Sequence, residues 1–142
     1  TIIVAIGGGG LIAGIGRAIK TLKPNTRIIG VEPTGAPTLK ASLEAGGLIT
    51  LQSISTKAGT LAPRRTAQIN YDIIHETIDD IVLVTDEEMR DAAAWLWFET
   101  GIAAELSGAA SMAAVLNGKF STRKDETICV LVCGAGADGI AP

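Results

Sequence analysis

A chain of 142 residues, 47% of them hydrophobic, is long enough to bury the core of one domain and too short for two ordinary domains. The net charge is −3, and the only basic runs are Arg64 with Arg65 and Arg123 with Lys124, which argues against nucleic acid and anionic membrane surfaces as partners. The longest apolar stretches are as short as strands, and no signal-peptide pattern is present, so we expect a soluble, cytoplasmic protein.

Strands and helices alternate along the chain. The apolar pattern predicts strands over 2–6, 27–32, 81–84 and 127–132, and helices over 11–22, 36–45, 69–77, 86–100 and 108–117. Thr85 and Glu88 have the spacing of a capping box, and Ser107 is the predicted N-cap of the last helix. This alternation predicts an α/β fold, with an open, mostly parallel, twisted sheet covered by helices on both faces.

The long segment from about residue 51 to 66 is predicted to be a loop. Loops of this length in compact domains tend to be functional or mobile, although a solvated surface excursion explains the pattern equally well. The two cysteines, Cys129 and Cys133, lie in one predicted strand and roughly 13 Å apart, so they cannot bond to each other. Together with a single histidine they form no zinc pattern, and free thiols fit a reducing compartment.

Four consecutive glycines lie between the first strand and the first helix, at positions 7 to 10. Glycine has no Cβ, so its backbone can adopt positive φ and can approach a ligand closely. Backbone N–H groups and the positive end of the helix converge at such a turn, which favours an anion, most often a phosphate. A tight turn without a ligand is the alternative, but it would need one or two glycines rather than four.

A second turn of small residues, at 133–138, follows the last predicted strand. Two strands of the sheet then carry glycine-rich turns at their carboxyl ends, where open α/β sheets bind ligands. On spacing alone, Gly8, Gly10 and Ala13 also match a variant of the dinucleotide fingerprint, with Glu32 at the place of a ribose-binding acid. An NAD-binding Rossmann module is therefore a second interpretation.

Five segments, taken together, resemble one family: residues 7–14, 28–33, 78–88, 105–110 and 130–135. They are similar to the serine/threonine dehydratases, which belong to the tryptophan-synthase-β-like class of pyridoxal-phosphate enzymes. The likeness covers nearly the whole chain in the right order and is to the second half of such an enzyme. It implies that residues 1–142 are the C-terminal portion of a large domain.

The resemblance implies a binding site for pyridoxal 5′-phosphate. Its phosphate would be held by the glycine loop and the N–H that follows it: Gly7, Gly8, Gly9, Gly10 and Leu11. Cys133, followed by Gly134, would lie at the pyridine nitrogen, and Glu105 would face the cofactor ring. Taken alone, Cys133 is equally a small buried residue at a strand end, and Glu105 an ordinary acid near a helix N-terminus.

Relatives of this kind also bind a cation in some cases, such as Mg, Ca or K. The matching positions here are Glu32 and the carbonyl of Ala36, while Thr38 stands where an acidic ligand is common. The sequence departs from the family pattern at two further positions, with Leu106 for a usual proline and Gly136 for a usual asparagine.

The family's reaction needs a lysine that carries the cofactor as a Schiff base and moves the α-proton. The Ser-x-Lys-x-Arg-Gly segment that holds it is absent from this sequence, and the surroundings of Lys57 match a later loop of the family instead. A desolvated amine is what makes such a residue reactive at neutral pH, so we expect the chain alone to be inactive. A missing N-terminal half or a complementary chain would supply the small domain and the lysine, and we expect a homo-oligomer.

The function that the resemblance implies is that of an ammonia-lyase. Such an enzyme deaminates a small hydroxy amino acid such as threonine or serine to a 2-oxo acid and ammonia. Three alternatives stay open at this point: an amino-acid racemase of the same family, an NAD-binding Rossmann module, and a non-catalytic fragment of the fold.

Overall fold

The computed structural model describes residues 1–141. Within these residues the strands are β1 (Ile2–Ala5), β2 (Ile28–Pro33), β3 (Asp80–Val84) and β4 (Cys129–Val130). The helices are α1 (Gly10–Leu22), α2 (Thr38–Glu44), α3 (Gln68–Thr77), α4 (Asp86–Thr100) and α5 (Leu106–Leu116), and a single 3-10 turn, Gly59–Leu61, interrupts the long loop. None of the helices in this described range is long and apolar enough to cross a bilayer.

The strands form one parallel sheet in the order β3-β2-β1-β4. Strand β2 lies beside β1 and β3 lies beside β2, whereas β4 pairs with the other side of β1. The strand order therefore reverses between β1 and β4, and ligands of open α/β sheets bind at the carboxyl ends of the strands at such a switch point. The predicted α/β architecture is confirmed.

Side chains of β1 alternate between two cores, one on each face of the sheet. Ile3 and Ala5 pack in a cluster with residues of α4 and α5, whereas Val4 and Ile6 pack with residues of α1, α2 and α3. Both faces of the sheet are thus covered by helices. This explains why the central strands consist of nearly continuous apolar residues.

Helix α5 begins earlier than predicted. Its first residue is Leu106 and its N-cap is Glu105, so the prediction of Ser107 as the N-cap is wrong. The N–H of Leu106 donates to the carboxylate of Asp138 at 2.7 Å. A side chain from the far end of the chain therefore satisfies the helix end, and a local capping pattern could not predict it.

The last strand is shorter than the predicted 127–132. Only Cys129–Val130 pair with β1, and β4 lies at the edge of the sheet, so its other side has no strand beside it within residues 1–141. Both cysteines are free thiols.

Helix α4 begins with a complete capping box, which confirms the prediction from Thr85 and Glu88. The N–H of Glu88 donates to the Thr85 hydroxyl at 3.1 Å, and the N–H of Thr85 donates to the Glu88 carboxylate at 2.8 Å. Lys119, just after α5, also pairs with that carboxylate at 2.6 Å. Partial burial alone would raise the pKa of Glu88, but the bonds from Lys119 and Thr85 outweigh it and lower the pKa. The box thus joins the start of α4 to the end of α5.

We predict that Thr85→Ala lowers the free energy of unfolding by about 1 kcal/mol, because it removes the side chain that caps α4. Urea denaturation measures this loss. Thr100→Ala is the matched control: it removes a threonine hydroxyl at the other end of the same helix, which donates to the Leu96 carbonyl. We expect the control to change stability by less than about 0.5 kcal/mol, and equal losses in the two variants would contradict the capping role.

Candidate functional site

A pocket of about 340 Å³ lies at the switch point, over the carboxyl ends of β1 and β4. Segments that are far apart in the sequence form its lining: Ala5, Gly7, Gly8, Gly9, Gly10, Leu11, Ile12, Thr60, Leu61, Glu105, Ser107 and Cys133. The glycine loop, Glu105 and Cys133 therefore meet in one place. Gly134 lies against Glu105, whereas Glu32 and Ala36 are not among the lining residues.

A larger cleft of about 460 Å³ lies at the opposite end of the sheet, beside the amino ends of the strands. Its polar groups already form hydrogen bonds within the surrounding loops. The Arg27 guanidinium donates to the Ser121 carbonyl, and the Arg123 N–H donates to the Glu126 carboxylate. Because open α/β sheets bind ligands at their carboxyl ends, we assign the functional site to the smaller pocket.

Helix α1 begins without the groups that usually satisfy a helix N-terminus. Its N-cap, Gly9, has φ 89° and no side chain, and its first turn contains no acidic residue. Helix α4, by contrast, has a threonine cap and three acids in its first turn. No hydrogen bond within residues 1–141 uses the N–H groups of residues 7–11. The positive end of α1 therefore opens into the pocket with free donors, an arrangement that binds anions.

The four glycines serve different purposes. A Cβ at Gly7 would lie 2.3 Å from the carbonyl oxygen of Thr60, so the close approach of the loop requires glycine. Gly9 must also be glycine, because its φ is positive and because a Cβ there would lie 2.9 Å from a methyl group of Leu39. No protein atom lies within 4 Å of the Cβ positions at Gly8 and Gly10, which leaves room for a ligand to approach the backbone.

Cys133 and Glu105 form the other side of the pocket. Cys133 is exposed rather than a buried core residue, but partial burial of its thiol raises the thiol pKa and the charge of Glu105 raises it further, so the thiol is neutral at pH 7. Glu105 packs directly against two glycines, and neither position has space for a side chain. A Cβ at Gly134 would lie 2.4 Å from the Oε1 of Glu105, and a Cβ at Gly136 would lie 2.7 Å from its Cβ. The glycine that replaces the family's usual asparagine at 136 is therefore required by this packing.

Five lining residues were not predicted as part of the site: Ala5, Ile12, Thr60, Leu61 and Ser107. Thr60 and Leu61 come from the loop whose sequence matches the family's loop near the cofactor, but only the fold shows that it covers Gly7. Ser107 was assigned to a cap and lies instead in the pocket wall. Short-range patterns carry no signal for such contacts, because they arise from tertiary packing.

No lysine of the described chain lines the pocket. Lys57 lies in a separate cleft with Arg90, Leu106 and Asp138. Its N–H donates to Asp86 at 2.7 Å, so the backbone of this loop is fastened to the start of α4. The pocket therefore receives no amine from residues 1–141.

Glu32 is fully buried and its carboxylate lies at the start of α2. One oxygen accepts the N–H of Leu39 at 2.8 Å and the other accepts the N–H of Lys40 at 2.9 Å. Burial raises the pKa of Glu32 to about 7, although these bonds and the Lys40 charge act in the opposite direction. The carboxylate thus satisfies the first turn of a helix from inside the core.

Positive charge around Glu32 disfavours the predicted cation at Glu32 and Ala36. The helix end and the Lys40 ammonium place positive charge around the carboxylate, and the Thr38 hydroxyl donates to the Pro63 carbonyl at 2.6 Å. In the part of the chain that the structure describes, no three His, Cys, Asp or Glu residues come close enough to share a metal ion. Glu32 is also fully buried and outside the pocket lining, so a ribose in the pocket would not reach it as the NAD interpretation requires.

Comparisons with known proteins identify the class. The model of the pyridoxal-phosphate dependent enzyme family matches residues 1–134. Phenylserine dehydratase of Ralstonia pickettii is 36% identical over 137 residues, which are 96% of this chain and 42% of that protein. Threonine deaminase isoform 2 of Solanum lycopersicum aligns with a TM-score of 0.90 at 35% identity, over 96% of this chain and 40% of that one. Maize serine racemase aligns with a TM-score of 0.85 at 34% identity, over 96% of this chain and 43% of that one.

The chain therefore belongs to the family of pyridoxal-phosphate dependent enzymes. Its relatives are of the serine/threonine dehydratase branch with the tryptophan-synthase-β-like fold, as the residues indicated. It spans about two fifths of the length of the relatives named above.

We predict that Gly9→Ala destabilises the chain and weakens its binding of pyridoxal 5′-phosphate. Positive φ alone costs a non-glycine residue roughly 1–2 kcal/mol, and the added Cβ would also press on Leu39. Two controls separate these effects in urea denaturation and equilibrium dialysis. In urea denaturation, Gly46→Ala, whose positive φ lies in open space, should lower the free energy of unfolding only by the cost of positive φ. Gly10→Ala should leave that free energy unchanged or raise it, although its added Cβ enters the space through which the ligand approaches. Equal costs at Gly9 and Gly10 would contradict the assigned roles.

The buried Glu32 gives a prediction for pH dependence. Its folded pKa of about 7 lies above the ordinary value of 4.5, so the folded state binds the proton more tightly than the unfolded state does. The resulting stabilisation is fully present below pH 4.5 and is lost as the pH rises through 7. Relative to Glu32→Gln, the wild-type chain should therefore gain up to about 3 kcal/mol of stability between pH 8 and pH 5.

Urea denaturation of both proteins across this pH range measures the difference. A wild-type stability that falls on acidification relative to Glu32→Gln would contradict the prediction. A stabilisation by Mg²⁺ or K⁺ that disappears in Glu32→Gln would show instead that a cation binds the carboxylate.

Proposed function

We propose that this chain forms the phosphate site and the pyridine-nitrogen site of a pyridoxal-phosphate dependent ammonia-lyase. The substrate would be a small hydroxy amino acid such as threonine or serine, and the products a 2-oxo acid and ammonia. The observation that carries the proposal is the free N-terminus of α1, which opens into the pocket that also contains Cys133 and Glu105. The names of two relatives support the substrate class, because phenylserine and threonine both carry a β-hydroxyl.

The phosphate end fits the residues present. Backbone N–H groups of residues 7–11 have no partner within residues 1–141, and the α1 dipole adds positive potential at the same place. Gly8 and Gly10 leave space for the phosphate to approach the main chain. The loop would hold a dianion without any positively charged side chain, so binding would depend on the orientation of its peptide groups.

The ring end fits as well. Bound pyridoxal phosphate supplies an electron sink for negative charge that develops on the substrate's α-carbon. Cys133, assigned to the pyridine nitrogen, presents a neutral thiol because partial burial and the charge of Glu105 raise its pKa. A neutral thiol does not hold a proton on the ring nitrogen as a carboxylate would. Such a moderate sink suits loss of a β-hydroxyl better than transamination.

The proposal requires a second component. The pocket contains no lysine from residues 1–141, and the chain spans about two fifths of its relatives' length. An open apolar hollow lined by Ile102 and Val132 adjoins the pocket at Cys133 and Gly134, next to the unpaired edge of β4. We propose that the rest of the enzyme, in the same polypeptide or in another chain, covers this edge and supplies the lysine. Self-association through apolar surface is a further part of the proposal.

An amino-acid racemase is the second candidate, and the likeness to maize serine racemase favours it. The same glycine loop and thiol would serve both reactions, because both begin with loss of the α-proton. The products separate them, since racemisation yields the other enantiomer of the substrate and deamination yields a 2-oxo acid.

We predict saturable binding of pyridoxal 5′-phosphate to the chain, tighter than the binding of pyridoxal, with no comparable binding of NAD. Borohydride reduction followed by peptide mass mapping should find no stoichiometric adduct on any single lysine, because none lines the pocket. A stoichiometric adduct on Lys57 would show that the catalytic lysine lies in this chain. Tight binding of NAD without binding of pyridoxal phosphate would overturn the proposed function.

A further inference from the structure

Two side chains near the start of α3 hold the carbonyl oxygen of Gly8. The Thr66 hydroxyl donates to it at 2.7 Å and the Asn70 side-chain amide donates to it at 2.8 Å. A carbonyl oxygen has two lone pairs, so these two donors satisfy it completely. Thr66 is only 6% exposed, which withdraws its hydroxyl from water and makes the bond to Gly8 expensive to lose. We name Thr66 and Asn70 together the Gly8 latch.

The latch determines where the next N–H group points. The peptide bond between Gly8 and Gly9 is trans, and in a planar trans peptide the C=O and N–H groups point in opposite directions. Because the Gly8 oxygen faces α3, the Gly9 N–H points away from α3. Gly9 lines the pocket, and its N–H has no partner within residues 1–141. The latch thus keeps this donor available to a ligand.

Without the latch this peptide could rotate. Glycine flanks it on both sides, so few steric contacts oppose a change of φ and ψ. A rotated peptide would turn its carbonyl oxygen towards the anion, where its partial negative charge repels phosphate. The Cα of Gly9 itself is held by packing, since its Cβ position lies 2.9 Å from Leu39 and 3.1 Å from Ile74. Packing therefore fixes where the peptide lies, and the latch fixes which way it faces.

We propose that Thr66 and Asn70 are positioning residues that orient the Gly8–Gly9 peptide for anion binding. Neither residue lines the pocket, so both act through the backbone. The inference rests on the proposed function for the identity of the anion, the phosphate of pyridoxal 5′-phosphate. Through this orientation, the latch contributes to the tighter binding of pyridoxal 5′-phosphate relative to pyridoxal.

The test compares the wild-type chain with Thr66→Val, Asn70→Leu and the double variant, all of which keep approximate side-chain size. Equilibrium dialysis gives the dissociation constants of pyridoxal 5′-phosphate and of pyridoxal. In the double variant we expect the ratio of the pyridoxal constant to the pyridoxal 5′-phosphate constant to fall by roughly tenfold or more, the effect of losing one well-oriented hydrogen bond to a charged group. Binding of pyridoxal, which has no phosphate, should stay the same.

A second measurement does not depend on the ligand. The ¹³C resonance of the Gly8 carbonyl in the free chain should move upfield in the double variant, because the oxygen loses both donors. Thr77→Val is the matched control: Thr77 is 7% exposed, lies at the other end of α3 and donates to the Ile73 carbonyl at 2.6 Å. It should alter neither the ratio nor the Gly8 resonance. Thr66→Ser keeps the hydroxyl and should retain the wild-type ratio.

The outcomes are distinct. An unchanged ratio in the double variant, with wild-type binding intact, would overturn the inference. If the wild-type chain binds no pyridoxal phosphate, the proposed function fails, and a Gly8 carbonyl resonance that does not move in the double variant would overturn the latch itself. Should the double variant not fold, the single variants give the same comparison, each with a smaller expected change.

Discussion

The turn from β1 into α1 must bring the chain into the first helix without giving that helix a cap of its own. Gly7 passes beneath the carbonyl of Thr60, and Gly9 adopts positive φ against α2 and α3. The Gly8 carbonyl, the acceptor between them, bonds to Thr66 and Asn70. The Gly8 carbonyl therefore points into the protein, while the N–H groups of the loop stay free. The unsatisfied positive end of α1 is the feature on which the rest of the site depends.

Strand order decides what faces this helix end. Because β4 pairs with β1 on the side opposite β2, its carboxyl end places Cys133 in the same pocket as the glycine loop. Helix α5 packs closely on the turn that follows, since a Cβ at Gly108 would lie 2.2 Å from the carbonyl oxygen of Gly134, and its first N–H bonds to Asp138. Because Glu105 is the N-cap of α5, these contacts place it in the pocket wall. The free N-terminus of α1 and a neutral thiol thus meet although they are more than a hundred residues apart in the sequence.

Features with a local physical cause could be predicted from the sequence. The glycine loop, the capping box at Thr85 and the alternation of strands and helices all depend on neighbouring residues, and the structure contains them. Features that depend on packing could not. Asp138 caps α5 across 32 positions, and Thr66 reaches Gly8 across 58, so no short pattern marks either bond. Glu32 shows the same limit, because its position suggested a ligand whereas its contacts make it an internal cap of α2.

We propose that the free backbone N–H groups at the start of α1 bind a phosphate. A titration of the ¹⁵N-labelled chain with inorganic phosphate, followed residue by residue in amide spectra, tests it most directly. We expect the largest saturable shifts at the amides of residues 8–11, downfield because these groups form new hydrogen bonds to an anion. Saturable shifts confined to the cleft around Arg27 and Arg123, with the glycine loop unchanged, would contradict it.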